Sequence, residues 1–253
     1  DQRTFSGGAG GVSQLNDYKV VVCGCFSRYN YKPAYSLVRL NMNGRYDPTF
    51  DTSEGVAGFV HAAAVQEDGK VVIAGTFSRF DGVQRRNIAR VLGNGKNDAS
   101  FDPGTGTDNE IRTVKMFDDG KIFIGGLFNS VNNKPRKGVA RLDTNGLLDR
   151  SFNLGAKHGI RSWEVYSSSI TDDGKILVGG KLKSTVSNPM VNSPFLRLQN
   201  NGDIDLSYQP EDLPDDASVY AIATAADGRA LMTGEFPAEF VVKSENIARL
   251  DTF

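Results

Sequence analysis

Acid–base chemistry on a glycoside needs two facing carboxylates, nucleophilic chemistry needs a Ser or Cys within reach of a His, and a metal needs clustered His, Cys or carboxylate ligands. The 253-residue sequence is sparing with all three. It has two histidines, His61 and His158, and two cysteines, Cys23 and Cys25. Neither histidine lies beside a Ser or Cys in a recognisable nucleophile motif, which leaves a triad assembled in space as the open alternative. Cys23 and Cys25 stand two apart in the apolar run VVVCGCF, on one face of a strand and too far apart for a relaxed disulfide. Two free core thiols are expected, and a lone C-x-C predicts no structural zinc. The acidic turns Glu67-Asp68, Asp118-Asp119 and Asp172-Asp173 have the oxygen chemistry that calcium prefers, yet Asp-Gly is also what a tight hairpin demands. No cofactor and no metal is expected.

Binding chemistry is better represented. His61, Arg112, Tyr166 and Tyr220 recur at one place in a repeat, each just after an apolar Val60, Ile111, Val165 or Val219. Large side chains with polar tips that differ from copy to copy could form one asymmetric ligand site, or could plug a channel against water. Arg161 and Trp163 pair the residue types favoured at binding hot spots, with a core role for Trp163 as the alternative. Two loops are basic, Arg79 with Arg85 and Arg86, then Lys134 with Arg136 and Lys137. They form either a solvated rim or a docking face.

The elements that must position these residues come from self-similarity. NDYKVVVCGCF, EDGKVVIAGTF, DDGKIFIGGLF, DDGKILVGGKL and ADGRALMTGEF repeat so that Lys19, Lys70, Lys121, Lys175 and Arg229 are 51, 51, 54 and 54 positions apart. Arg39, Arg90, Arg141, Arg197 and Arg249 follow each copy. Then come the turns Asn43-Gly44, Asn94-Gly95, Asn145-Gly146 and Asn201-Gly202, each followed by an Asp and an aromatic: Asp47 and Phe50, Asp98 and Phe101, Asp149 and Phe152, Asp205 and Tyr208.

Each unit predicts four strands A to D, with A meeting B across the Asp-Gly turn and C meeting D across Asn-Gly. Strand B is almost continuously apolar, as a strand covered on both faces must be. Small residues in strand A, Ala62 to Ala64, Ser167 to Ser169, Ala221 and Ala223, place A innermost; Lys115 breaks the pattern without an explanation. The expected fold is all-β, a single domain over 1–253. It is a five-bladed β-propeller of four-stranded antiparallel blades, built from repeats of about 51 residues. Thr4-Phe5 matches Thr49-Phe50, so residues 1–6 are expected to act as a strand D that pairs with Asn246 to Asp251 and closes the ring. The inner strands Val60–Gln66, Ile111–Phe117, Val165–Thr171 and Val219–Ala225 contain no Asp or Glu, and Glu110 and Glu164 precede them, which argues against a propeller glycosidase.

The motifs DGK-hydrophobic-GG-x-F, N-I-A-R-L and N-G-x-x-D-x-S-F resemble the delta-60 repeat β-propellers of bacteria and phage. That resemblance implies a propeller in large secreted, cell-surface or virion-associated proteins, with no catalytic residues to carry over. With 29 basic and 30 acidic residues there is no field to draw the chain onto nucleic acid, and no run of 18 apolar residues predicts membrane insertion. The start at Asp1 suggests a processed or trimmed protein. The expected function is a non-enzymatic protein-binding or scaffold module in a larger assembly, extracellular or on a cell or virion surface. A carbohydrate-binding module is the alternative.

Overall fold

In the computed structural model the described residues are 5–52, 54–154, 160–184, 193–208, 217–225, 229–236 and 247–250, and among them every regular element is a strand. Unit 1 holds β1 (Phe5–Gln14), β2 (Val20–Tyr29), β3 (Lys32–Pro33) and β4 (Leu37–Leu40). Unit 2 holds β5 (Val56–Val65), β6 (Val71–Phe80), β7 (Val83–Gln84) and β8 (Ile88–Val91). Unit 3 holds β9 (Ile111–Met116), β10 (Ile122–Gly126), β11 (Ser130–Val131), β12 (Lys134–Pro135) and β13 (Val139–Leu142). Unit 4 holds β14 (Ile160–Ile170), β15 (Ile176–Ser184) and β16 (Phe195–Leu198), and unit 5 holds β17 (Ser218–Thr224), β18 (Ala230–Glu235) and β19 (Ile247–Leu250).

In every unit the central strand, β2, β6, β10, β15 or β18, pairs antiparallel with the strand before it and with the arginine-bearing strand after it; the turn leading into it is Asp17-Tyr18 in unit 1 and Asp-Gly in the sequence of the others. The first strands β1, β5, β9, β14 and β17 lie beside one another in that order, which makes A the inner strand as expected. Their small residues bond across units. Ser13 donates to the Ala63 carbonyl at 2.7 Å, Thr113 and Ser168 hydroxyls lie 2.8 Å apart, and Ser169 and Thr224 hydroxyls 3.0 Å apart. Small residues are needed here for close approach, and hydroxyls satisfy polar groups that no larger side chain could reach.

Two expectations need correction. Strand D is not a ladder strand: after Asn-Gly only one bridge forms in units 1 to 4, as in Leu40 with Tyr46 and Leu142 with Leu148. The chain then turns, the Asp47 amide bonding to the Arg39 carbonyl and the Phe50 amide to the Asp47 carbonyl, and the aromatic is driven between units. Nor does Phe5 act as a strand D. It pairs with Tyr29 in β1 as Val56 pairs with Phe80 in β5, so its repeat phase is that of Val56 and not of Phe50. No closed sheet joins the first unit to the last among the described residues. Thr4, Asn246 and Asp251 lie outside them.

The turned segment explains the repeated arginine. Arg39, Arg90, Arg141 and Arg197 each donate from Nε to Asp47, Asp98, Asp149 or Asp205 at 2.8 Å. Each guanidinium lies over the following aromatic, Phe50, Phe101, Phe152 or Tyr208, at 4.7, 4.9, 5.1 and 4.1 Å. Arg90 and Arg141 also reach the next unit, donating to the Thr144 and Asn200 carbonyls at 2.6 Å. The turn glycine belongs to this joint. Gly95 has φ +89°, and a Cβ there would meet the Asp51 backbone of the preceding unit at 2.6 Å.

Burial alone would push the Asp98 carboxyl up. The Ser100 hydroxyl and amide and Arg90 outweigh it, and hold the acid below the usual carboxylate range. Asp149 and Asp205 are lowered in the same way, through Ser151 with Arg141 and through Ser207 with Arg197. A carboxyl with a lowered folded value adds stability that is present above the unfolded value near 4 and lost as pH falls through the folded one. The main loss of melting temperature should therefore come below about pH 4. A parent whose stability does not fall there would contradict the assignment. Asp98→Ala strands a buried Arg90 and should cost about 3 kcal/mol in urea unfolding, with less further loss on acidification than the parent shows.

Candidate functional site

The expected site residues lie on the inner strands β5, β9, β14 and β17. His61, Arg112, Tyr166 and Tyr220 follow the fully buried Val60, Ile111, Val165 and Val219 at one repeat position. A register shift accompanies this position in β5, β9, β14 and β17. These bulges turn the large side chain out of the ladder while its apolar neighbour stays in the core.

The structure brings the four residues into two clusters, the first organised by one glutamate and the second by two. In the first, Glu110 accepts from Arg112 Nε at 2.9 Å and Nη2 at 2.6 Å on one carboxylate oxygen. Its other oxygen accepts from the Thr76 hydroxyl at 3.0 Å and lies 3.3 Å from His61 Nε2, which in turn is 2.9 Å from that hydroxyl. In the second, Tyr166 donates to Glu164 at 2.6 Å, its ring lies 5.7 Å from that of Tyr220, and Tyr220 donates to Glu235 at 3.0 Å.

Electrostatics separates the groups. Burial would raise the Glu110 acid, but Arg112 and Thr76 hold it below the usual range, so it is an anion at neutral pH. His61 is lowered by burial and then by Arg112, against a smaller upward pull from Glu110. Tyr166 is raised by burial and by its bond to Glu164, and Tyr220 chiefly by its bond to Glu235. Both phenols remain protonated donors. The mouth thus presents neutral imidazole, phenols, a guanidinium and carboxylates, a set suited to hydrogen bonding and to stacking on the half-exposed Tyr220 ring.

The three glutamates are what sequence reasoning underused. Glu164 lies inside β14, which begins earlier than expected, Glu110 immediately precedes β9, and Glu235 ends β18 on the second strand of its unit. Position 235 is equivalent to Thr76 and Cys25, so the rim draws on strand B as well as strand A. This corrects the cysteine expectation. Both thiols are free, but Cys23 is buried, its thiol pushed up to about 12 by that burial, whereas Cys25 is exposed on the rim opposite Gly8, which has no side chain to cover it.

Trp163 is a core residue and not a surface anchor, buried in one cluster with Leu154, Val165 and Leu182. Arg161 lies in β14, but its side chain falls outside the described residues, as does the whole of His158. The basic loops are partly structural: Arg85 donates to Asn97 at 3.1 Å and Arg86 to the Asp108 carbonyl at 3.0 Å. Lys115 is solvent-accessible at the inner-strand position that carries Ala64 and Ser169 elsewhere, and desolvation holds its ammonium below the usual range. Beside the first cluster a cleft of about 380 Å³ opens between units 2 and 3, lined by Thr76, Ser78, Arg86, Asp108 and Glu110.

Residues 15–50, 66–101, 118–152 and 171–208 match a family described as a domain of unknown function (DUF5122) beta-propeller. The chain belongs to this beta-propeller family. Its units are propeller blades, and are called so below. Among solved structures, it is similar to the extracellular domain of a putative one-component system from B. thetaiotaomicron, at TM-score 0.53 and 9% identity over 94% of this chain and 26% of that one. A gluconolactonase from Xanthomonas campestris is matched at TM-score 0.52 and 10% identity, over 89% of this chain and 69% of the other. YCF48 bound to a D1 peptide is matched at TM-score 0.54 and 11% identity, over 96% and 64%. At these identities the likeness is one of fold. The chain thus spans about a quarter of the first of these structures. No curated protein sequence matches it.

The opposed effects on His61 can be read by NMR titration in a His158→Gln background. The parent His61 should titrate below 6.5. Arg112→Met should raise its midpoint and Glu110→Gln should lower it further. Shifts of the opposite sign would remove the cluster as drawn.

Proposed function

We propose that this propeller is a non-catalytic protein-binding module that takes a peptide segment of its partner at the mouth formed by His61, Arg112, Tyr166 and Tyr220. The observation that carries this reading is the difference between blades at that one position. Glu110 takes a guanidinium and an imidazole in one cluster, while in the other Glu164 and Glu235 each take one phenol. Repetition of one side chain would suit a repeated ligand; a histidine, an arginine and two tyrosines make a single surface with one orientation for its guest. The likeness to a propeller bound to a peptide and to an extracellular domain agrees with a protein partner and an extracellular or surface setting.

The gluconolactonase likeness is one of fold. The Glu110 carboxylate is engaged by Arg112 on one oxygen and by Thr76 on the other, which suits an anchoring role better than proton donation. A carbohydrate guest is the second reading, favoured by the exposed Tyr220 ring beside the Glu235 carboxylate. Membership of surface or virion assemblies belongs to the same proposal.

Displayed random peptides selected on the parent protein should yield binders whose affinity falls at least tenfold in Tyr166→Ala/Tyr220→Ala, with the melting temperature lowered by only a few degrees. Selected peptides that bind the double variant unchanged would move the site away from the mouth. Glycan-array binding lost in the same variant would instead establish the carbohydrate reading.

A further inference from the structure

The seams between consecutive blades are built alike. Val21, Val72, Phe123 and Leu177 occupy one repeat position, each paired across the sheet with the blade arginine, and each joins the core of the following blade. Val21 clusters with Val60 and Ile73, Val72 with Ile111 and Ile124, Phe123 with Val165 and Val178, and Leu177 with Val219 and Met232. The residue that enters each seam from the following blade is thus a fully buried Val60, Ile111, Val165 or Val219.

Leu231 is the fifth member of the forward-facing set, paired with Arg249, and it is 45% exposed where Leu177 is 3% exposed. Along β18 buried and open residues alternate, whereas β10 is buried throughout, so β18 has cover on one face only. Ala221 and Ala223 of β17 are exposed as well. The opposite end mirrors this. Val12 matches Val114, Ser168 and Ile222 in register, yet it is 66% exposed where Val114 is 3% exposed. Val22, Val38 and Leu40 cluster with residues of their own blade alone. Among the described residues two faces of complementary type stand open, one on blade 5 and one on blade 1.

We propose that the open face of blade 5 receives a further blade of this same repeat, joined to it in sequence as each blade is joined to its predecessor. The inference continues an interface the structure shows four times. Blade 1 is a poor occupant, because the residue it holds at the position of Val60 is Ala9. Its inner strand FSGGAGGVSQ has glycine on both sides of that alanine, so no branched side chain can enter the seam in front of Leu231. A second copy of the chain would offer the same Ala9. The occupant is therefore a repeat with Val or Ile at this position, as blades 2 to 5 have.

The test uses the 253-residue chain and a fusion in which a copy of residues 95–145 follows Phe253, the point where repeat phase places them. In the parent, Leu231→Asp should move the melting temperature by less than about 2 °C, while Leu177→Asp should lower it by about 10 °C or prevent folding. The fusion should melt higher than the parent, and in it Leu231→Asp should cost about 5 to 10 °C. As a second measurement, Leu231→Cys in a Cys25→Ser background should react readily with a maleimide in the parent and be protected in the fusion. The proposal is overturned if Leu231→Asp in the parent is as damaging as Leu177→Asp, which would mean that blade 5 closes on blade 1. It is overturned equally if the parent forms concentration-dependent oligomers that Leu231→Asp abolishes, or if the fusion melts no higher and leaves position 231 reactive.

Discussion

The guanidinium of Arg39, Arg90, Arg141 and Arg197, one in each of blades 1 to 4, is the joint on which the rest of the structure depends. Arg90 is held by Asp98 in its own blade, lies over Phe101, and donates to Thr144 in the next blade. One side chain thereby fixes the turn after the third strand, seats the aromatic in the seam and sets the spacing between blades. A buried charge pair is costly to desolvate, and its net effect on stability is modest when it is complete. Its value here is geometric. Left half-paired it would be unfavourable enough that the turn has one acceptable conformation, and the same constraint recurs at Arg39, Arg141 and Arg197.

With the blades so spaced, the inner strands must approach closely, which admits alanine, serine and threonine and uses their hydroxyls as bridges between neighbours. The crowding relaxes at the bulges. The bulge at Val60-Ala62 and its counterparts in blades 3 to 5 let one large residue leave the ladder. This position is thus one where sequence varies without disturbing the seams. The Glu110 and Glu164 carboxylates fix the polar tips of Arg112, His61 and Tyr166.

The residues that resisted prediction did so for definable reasons. Phe5 resembles Phe50 in its Thr-Phe setting, but six residues of phase separate the two, and only the ladder with Tyr29 reveals the difference. Strand D looked like a strand because an Asn-Gly turn precedes it; the Arg–Asp bond, made between side chains eight residues apart, pulls the chain away after one bridge. Cys25 shares a face with Cys23, but burial depends on what lies opposite, and Gly8 covers nothing.

The repeat, the order of the strands, the inner position of the small residues and the location of His61, Arg112, Tyr166 and Tyr220 at one rim were determined by sequence alone. Period and alternation are local properties that survive without coordinates. Three matters belonged to the tertiary structure. The partners of His61 and Tyr220 come from a neighbouring strand or blade, as Thr76 and Glu110 meet His61 and Glu235 meets Tyr220. Trp163 is core because blades 3 and 4 close over it. The faces at Val12 and Leu231 stay open because burial in a propeller is conferred by the next blade, and no residue carries in its own identity whether that neighbour is there.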